Sequence, residues 1–358
     1  MYTRKEKSNP QGKEKRTELS ELGEFGLIDH LSKNIVLKHT GTVKGIGDDA
    51  AVLDSGNELL LLSTDLLLEG VHFDLTYMPL KHLGYKAAIV NISDIAAMNG
   101  VPKQMTVSIA VSNRFSLEAI DELYKGIRMA CDKYNVDLVG GDTSSSVSGL
   151  LISITITGAA AREEIVYRNG AHEGDLLCVT GNLGGAYAGL LILEREKKVY
   201  QANPDMQPEL TGCDYVLARQ LKPEARTDIR NLLKEAEVMP TSMIDISDGL
   251  ASETLHLCHQ SKTGCRIYEE KIPMDEETRT LALEFNIIPT VCALSGGEDY
   301  ELLFTIKQDD YEKIRNIQDI TVIGHMTAYG DGQNLITPDG KTVQITAQGW
   351  NAFAKVAK

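Results

Sequence analysis

The chain has 358 residues, 42% of them hydrophobic and 24% charged, the composition of a soluble globular protein long enough for two domains. Its 51 acidic residues outnumber 36 basic ones for a formal charge of −15, which argues against a nucleic-acid binder, since that needs a basic face. No apolar run reaches the ~18 residues of a membrane span, and the polar N-terminus has no apolar signal-peptide core. The 6 cysteines (Cys131, Cys178, Cys213, Cys258, Cys265, Cys292) are scattered without a CxxC, so reduced thiols in a cytoplasm are expected.

Residues 1–20 are charged and aperiodic and read as a disordered leader. ELGEFGLIDHL reads as a short amphipathic helix, and LLLLST (59–64) as a buried strand. Pro79 opens a helix that runs toward Gly100, with Pro102 beyond it. MTVSIAV is a strand, Ser116 caps a helix through DKY, and VDLVGG and LLISITITG are strands. The mixed order predicts an α/β or α+β N-terminal domain over 21–162. A second domain, 163–358, begins with the strand EGDLLCVTG and the glycine-rich helix start GNLGGAYAGLLILE. ANPDMQPELTG reads as a surface loop. SMIDISDGLASETLHLCHQ is strand, turn and helix; LSGGEDYELLFTI is a turn into a strand; TVIGHM is a strand; a last helix falls near GWNAFAKV.

The acidity is concentrated where apolar strands stop. LLLLSTD ends in Asp65, VDLVGGD in Asp142, and MIDISDG carries Asp245 and Asp248. In α/β sheets ligands collect at such strand ends. GIGDDAAV adds adjacent Asp48 and Asp49 in a glycine-bounded turn, and NISDIAAM puts Asp94 on one helical face with Asn91. Any one of these aspartates alone is a turn or capping residue. Together they form a set that capping does not require. Carboxylates brought together repel, and hard cations such as Mg²⁺ neutralise them while bridging to substrate phosphates. Ser63 and Thr64 offer hydroxyl ligands beside Asp65. There is no GxxxxGK[ST], no HRD or DFG set, and no EF-hand spacing.

GIGDDAAV, STD followed by GVHF, NISDIAAMNG, GGDT, IDISDGL and SGGEDYEL occur in this order. The set resembles the thiamine-monophosphate kinases of the aminoimidazole ribonucleotide synthetase superfamily, from about Gly23 to GWNAF. The resemblance implies ATP-dependent phosphorylation of thiamine monophosphate to thiamine diphosphate. It implies two mixed-sheet α/β domains, the N-terminal sheet pairing across a homodimer and the C-terminal sheet flanked by helices. It also implies several Mg²⁺ ions, with Asp49, Ser63, Thr64, Asp65, Asp94, Asp142, Asp245 and Asp248 as ligands. Tyr124, Gly141, Asp142, Arg168 and Ser247 would contact ATP, and His72, Glu298 and Trp350 the acceptor. Asp48 lies in the motif without an assigned metal contact, and Asn99 stands where Gly or Ala is usual.

The residue chemistry agrees with that reading. A phosphate monoester has a second pKa near ~6 and needs no general base as acceptor, so no catalytic base is expected. The obstacle is repulsion between two polyanions, and direct transfer without a phosphoenzyme then rests on charge neutralisation and in-line positioning. Arg168 can fork a phosphate, or be a surface arginine between domains. Trp350, the single Trp, is a core anchor or a π-face for a thiazolium cation. Glu298 can meet that cation, accept from the aminopyrimidine, or serve as a turn acid. His256, Cys258 and His259 lack the second cluster a zinc site needs, and GNLGGAYAGL is not a dinucleotide fingerprint. A superfamily enzyme with a reactive Cys or Lys, and a catalytically silent nucleotide binder, are the competing readings. The leader and the FAKVAK terminus contain no Cys, and no acid of the motifs is missing.

Overall fold

The computed structural model describes residues 19–347. The expected leader, apart from its last residues, the GWNAFAKV helix and Trp350 lie outside that range. Helix α1 (Leu19–Ser32) is followed by β1 (Thr42–Lys44), β2 (Ala51–Asp54) and β3 (Leu59–Leu68). Next come α2 (Leu80–Ala97), β4 (Val101–Val111), α3 (Leu117–Tyr134), β5 (Asp137–Ser145) and β6 (Leu150–Ala160). The strands form one six-stranded sheet in the order β1-β2-β3-β6-β4-β5, antiparallel except for the β4–β5 pair.

Two local choices place α2. Pro79 precedes its first turn, where a missing N–H costs nothing. Gly84 and Gly126 let α2 and α3 touch backbone to backbone: a Cβ on either would stand 1.9 Å from a carbonyl of the other helix. Ser116 caps α3, its hydroxyl accepting from the Ala119 N–H at 3.3 Å. The α2 helix ends through Asn99 in the left-handed region (φ 55°). Its amide donates to the Glu164 carbonyl at 2.7 Å, so the Asn that departs from the usual Gly or Ala is accommodated and tied down.

The second sheet has seven strands: β7 (Leu176–Thr180), β8 (Ser242–Asp245), β9 (Gly264–Tyr268), β10 (Leu302–Ile306), β11 (Ile320–Thr327), β12 (Gln333–Ile336) and β13 (Thr342–Gln344). Their order is β13-β12-β9-β11-β7-β10-β8, antiparallel except for β9–β12. Helices α4 (Gly185–Ala202), α5 (Asp214–Leu221), α6 (Asp228–Glu235), α7 (Leu250–Ser261), α8 (Glu276–Glu284) and α9 (Pro289–Ser295) flank it. These are two mixed sheets with flanking helices, as expected. The sequence reading had not separated α5, α6, α8 and α9, nor the short strands β1, β2, β9, β12 and β13.

The glycines at the start of α4 are packing residues. Gly189 lies against the α5 backbone, where a Cβ would be 2.2 Å from the Val216 carbonyl. The free N–H groups of Gly184 and Ala186 point at buried Asp299, at 2.7 and 3.4 Å, so this helix N-terminus already holds an anion from its own chain. Burial pushes Asp299 up to about 6, opposed by Arg219. Arg219 and Arg226 also pair with buried Glu301 at 2.8 Å each.

Candidate active site at the junction of the two sheets

The alternation of β3 builds the floor of the site. Leu59, Leu61 and Leu67 point inward, and Ser63 and Asp65 interrupt that row between them. Asp94 of α2 stands over this interruption. It accepts a hydrogen bond from the Ser63 hydroxyl, and the Asp65 charge acts on it from the same floor. One residue earlier, Ser93 donates to Asp245 Oδ2 at 2.6 Å, which ties the end of β8 to α2. Asp49, from the turn after β1, completes a group in which carboxylate oxygens of Asp49, Asp94 and Asp245 all lie within 4.8 Å of one another. Among the described residues no other such group forms. His256, Cys258 and His259 gather no ligand set, and Cys258 lies buried against Cys265.

The electrostatics are those of crowded, buried carboxylates. Burial, then Asp65, Asp245 and Asp49, raise Asp94 well above the carboxylate range. Burial, then the Asp49 charge, lifts Asp245 from 3.8 to about 7. Asp65 is raised by burial, and its Oδ2 is buried with no hydrogen-bond partner. An orphaned oxygen beside three crowded carboxylates is a donor set that fits a hard divalent cation. The shifts also set a stability profile. A carboxyl whose folded pKa is raised stabilises most below its unfolded pKa, and that stability is lost as pH rises through the folded value. Thermal unfolding in chelator should therefore show a melting temperature that falls from about pH 4 to pH 7, less steeply in Asp245→Asn. A flat profile in both proteins would contradict it.

Arg168 puts a full positive charge on the group. Its guanidinium forks onto Asp49, Nε to Oδ2 at 3.1 Å and the terminal nitrogen to Oδ1 at 2.6 Å. The expected phosphate fork is thus engaged with a carboxylate here through two of its five N–H donors. Asp48 closes the turn: it pairs with Lys44 and accepts the Arg168 N–H at 3.1 Å. Asp248 and Ser247 lie in the loop between β8 and α7. Glu253, which the sequence reading passed over, is buried in α7 and accepts the Asp248 N–H at 3.0 Å. Its other oxygen has no partner, and burial followed by Asp248 raises its carboxyl well above the usual range.

Glu298 reaches this loop from the far side. Its N–H donates to the Ser247 carbonyl at 2.6 Å, while its carboxylate meets Lys86 of α2 at 2.9 Å and Gln220 of α5 at 2.9 Å. Lys86 and Gln220 were also not anticipated. The available signal was a lysine in the otherwise apolar stretch GYKAAIV, at a position where α2 is buried. His72 follows β3 in an exposed turn, where its Nδ1 accepts the Leu68 N–H at 3.0 Å.

Other expected ligands are not brought in. The Thr64 hydroxyl faces the opposite side of β3 from Asp94, donating to the Ile154 carbonyl at 3.0 Å. The reason is the two-residue period: Ser63 and Asp65 inward puts Thr64 outward. Asp142 and Gly141 are exposed on the edge strand β5, three strands from β3 in sheet order, about 14 Å at the usual strand spacing. Tyr124 is half-buried on α3 against the first core, and burial is the sole cause raising its phenol. These three stand apart from the carboxylate group.

A carboxylate group where an N-terminal sheet meets a C-terminal one defines a class of protein, and family models agree. Residues 47–160 match the AIR synthase related protein N-terminal domain, and 172–333 the corresponding C-terminal domain. Thiamine-monophosphate kinase of Aquifex aeolicus is 36% identical over 94% of this chain and 99% of its own. That of Bacillus subtilis is 31% identical over 93% and 100%. The solved structure of AaThiL complexed with AMPPCP and TMP is 34% identical, spans 94% of this chain and 99% of that one, and superposes with a TM-score of 0.78. The chain belongs to the thiamine-monophosphate kinase family.

Proposed function

We propose that the chain transfers the terminal phosphoryl group of ATP to the phosphate of thiamine monophosphate, forming thiamine diphosphate. The observation that carries this is the group of Asp49, Asp94 and Asp245, with the orphaned oxygen of Asp65, in a chain of this family. Those four residues would hold Mg²⁺, with Ser63 and Asp248 beside them. The metal would supply positive charge to offset the repulsion between donor and acceptor phosphates. The protein's own part is placement. Arg168 orients on the nucleotide phosphates, Ser247 borders the nucleotide, and His72 and Glu298 receive the acceptor, with Trp350 as a further candidate contact. Transfer is direct, because the acceptor arrives as a dianion.

The test is a coupled turnover assay with purified protein, ATP, Mg²⁺ and thiamine monophosphate. Turnover is expected, together with its complete loss and weaker ATP binding when a chelator removes divalent cations. No turnover in saturating Mg²⁺, or tight ATP binding without metal, would refute the reading. The protein acts in the cytoplasm on this view, and no helix among the described residues is long and apolar enough to cross a membrane.

The same reading makes the active form a homodimer through the N-terminal sheet. Leu62, Leu66, Leu68 and Val139 are exposed on β3 and β5, an apolar surface that calls for cover. A second copy laid there would be the route by which Asp142, Gly141 and Tyr124 serve a site. Coexpression of Asp142→Asn with Asp94→Asn subunits tests it. If Asp142 serves the partner's site, mixed dimers regain about half the wild-type turnover, since one of their two sites is intact. No recovery would place Asp142 in its own subunit's site or in none.

A further inference from the structure

Glu298 is held in an unusual way. Its backbone is in the left-handed region (φ 58°), between Gly297 (φ 69°) and the nearby Tyr300 (φ 52°). A non-glycine residue stays there only when its surroundings fix it. Three contacts do so: the Ser247 carbonyl takes its N–H, Lys86 Nζ meets Oε1 at 2.9 Å, and Gln220 Nε2 donates to Oε2 at 2.9 Å. Lys86 also donates to the Gln220 carbonyl at 3.0 Å, closing a three-residue ring. The Lys86 side chain is 1% exposed and Gln220 3%, whereas the Glu298 side chain is 31% exposed. The two partners are therefore structural on one side of the carboxylate, and the remaining lone pairs face outward.

The pairing decides what the carboxylate can recognise. A glutamate compensated by a buried lysine carries no net charge as a unit, so it attracts a cationic ring weakly. It remains a strong, oriented acceptor for an N–H. A lysine deep in the fold cannot turn outward to meet a phosphate. We infer that Lys86 and Gln220 are positioning residues that fix Glu298 as the acceptor for the exocyclic amino group of the substrate's pyrimidine ring, making this ring of three the determinant of acceptor specificity. The inference rests on the reading of Glu298 as an acceptor-substrate contact.

The probes are thiamine monophosphate and its analogue with hydrogen in place of the exocyclic amine. Binding by calorimetry and turnover are measured on wild type, Gln220→Met, Lys86→Met, Glu298→Ala and the Gln220→Met/Glu298→Ala double variant. Wild type should bind thiamine monophosphate about 10-fold more tightly than the analogue, the scale of one hydrogen bond to a charged group. Gln220→Met and Lys86→Met should each erase most of that preference, leaving the KM for ATP and the KM for the analogue within about 2-fold. Met is close in length to both residues, and Gln220→Met keeps a neutral side chain if the lysine variant does not fold. In the Glu298→Ala background Gln220→Met should change nothing further, which a merely structural residue would not obey. Equal weakening of both acceptors, a matching rise in the KM for ATP, or additive single effects would overturn the positioning role. Wild type that does not bind thiamine monophosphate overturns this inference together with the proposed function. Wild type that turns it over without preferring it to the analogue overturns the inference alone.

Discussion

Asp94→Asn should lower turnover of ATP and thiamine monophosphate by about 10²–10³-fold, the scale of losing one preorganised electrostatic group. Asp94 is the carboxylate through which the others communicate. It lies within 4.8 Å of Asp49 and Asp245, it accepts from the Ser63 hydroxyl, and the Asp65 charge acts on it. An amide keeps the shape but removes the negative charge that would hold a cation. The same change should raise the melting temperature in chelator, because burial and three neighbouring carboxylates all oppose the charge that Asn deletes. In Mg²⁺ the order should reverse, since wild type gains more from binding the ion. Turnover and melting temperature measured on one preparation in both buffers check all three statements. Unchanged turnover, or a lower melting temperature in chelator, would remove Asp94 from the metal set.

The second large effect concerns the acceptor. Free thiamine presents an alcohol, and an alcohol needs a base that a phosphate dianion does not; a positioned base contributes about 10²–10⁴-fold. Among the described residues the three grouped carboxylates are already engaged. Asp94 and Asp245 are engaged by serine hydroxyls, and Asp49 is forked by Arg168. His72, the nearest candidate in sequence to the β3 aspartate, accepts the Leu68 N–H at Nδ1, which leaves the proton of the neutral ring on Nε2. With Nδ1 engaged in this way, the ring turns no open lone pair toward an alcohol. Turnover of free thiamine should therefore be at least about 10²-fold below that of thiamine monophosphate at saturating concentrations of each. Comparable rates would show that a base exists.

Much of the site was legible because its chemistry is local. Acids placed where apolar strands stop announce a shared acidic group, since turns alone do not demand so many, and Asp49, Asp65, Asp94 and Asp245 do converge. Other features were hidden for identifiable reasons. In LLLLSTDLLL the apolar run is continuous, so nothing in it says which alternate residues face the core; the packing of α2 decides that Ser63 and Asp65 turn inward and Thr64 outward.

What the sequence determined by itself is the chemistry of the donor set: carboxylates and hydroxyls at strand ends, which suit hard cations. What only the tertiary structure decided is which charges compensate which. Arg168 is 119 residues from Asp49, and Lys86 and Gln220 come to Glu298 from α2 and α5. Such pairings carry no local sequence signal. They are fixed by burial, because a charge taken out of water persists only beside a partner, and packing chooses that partner.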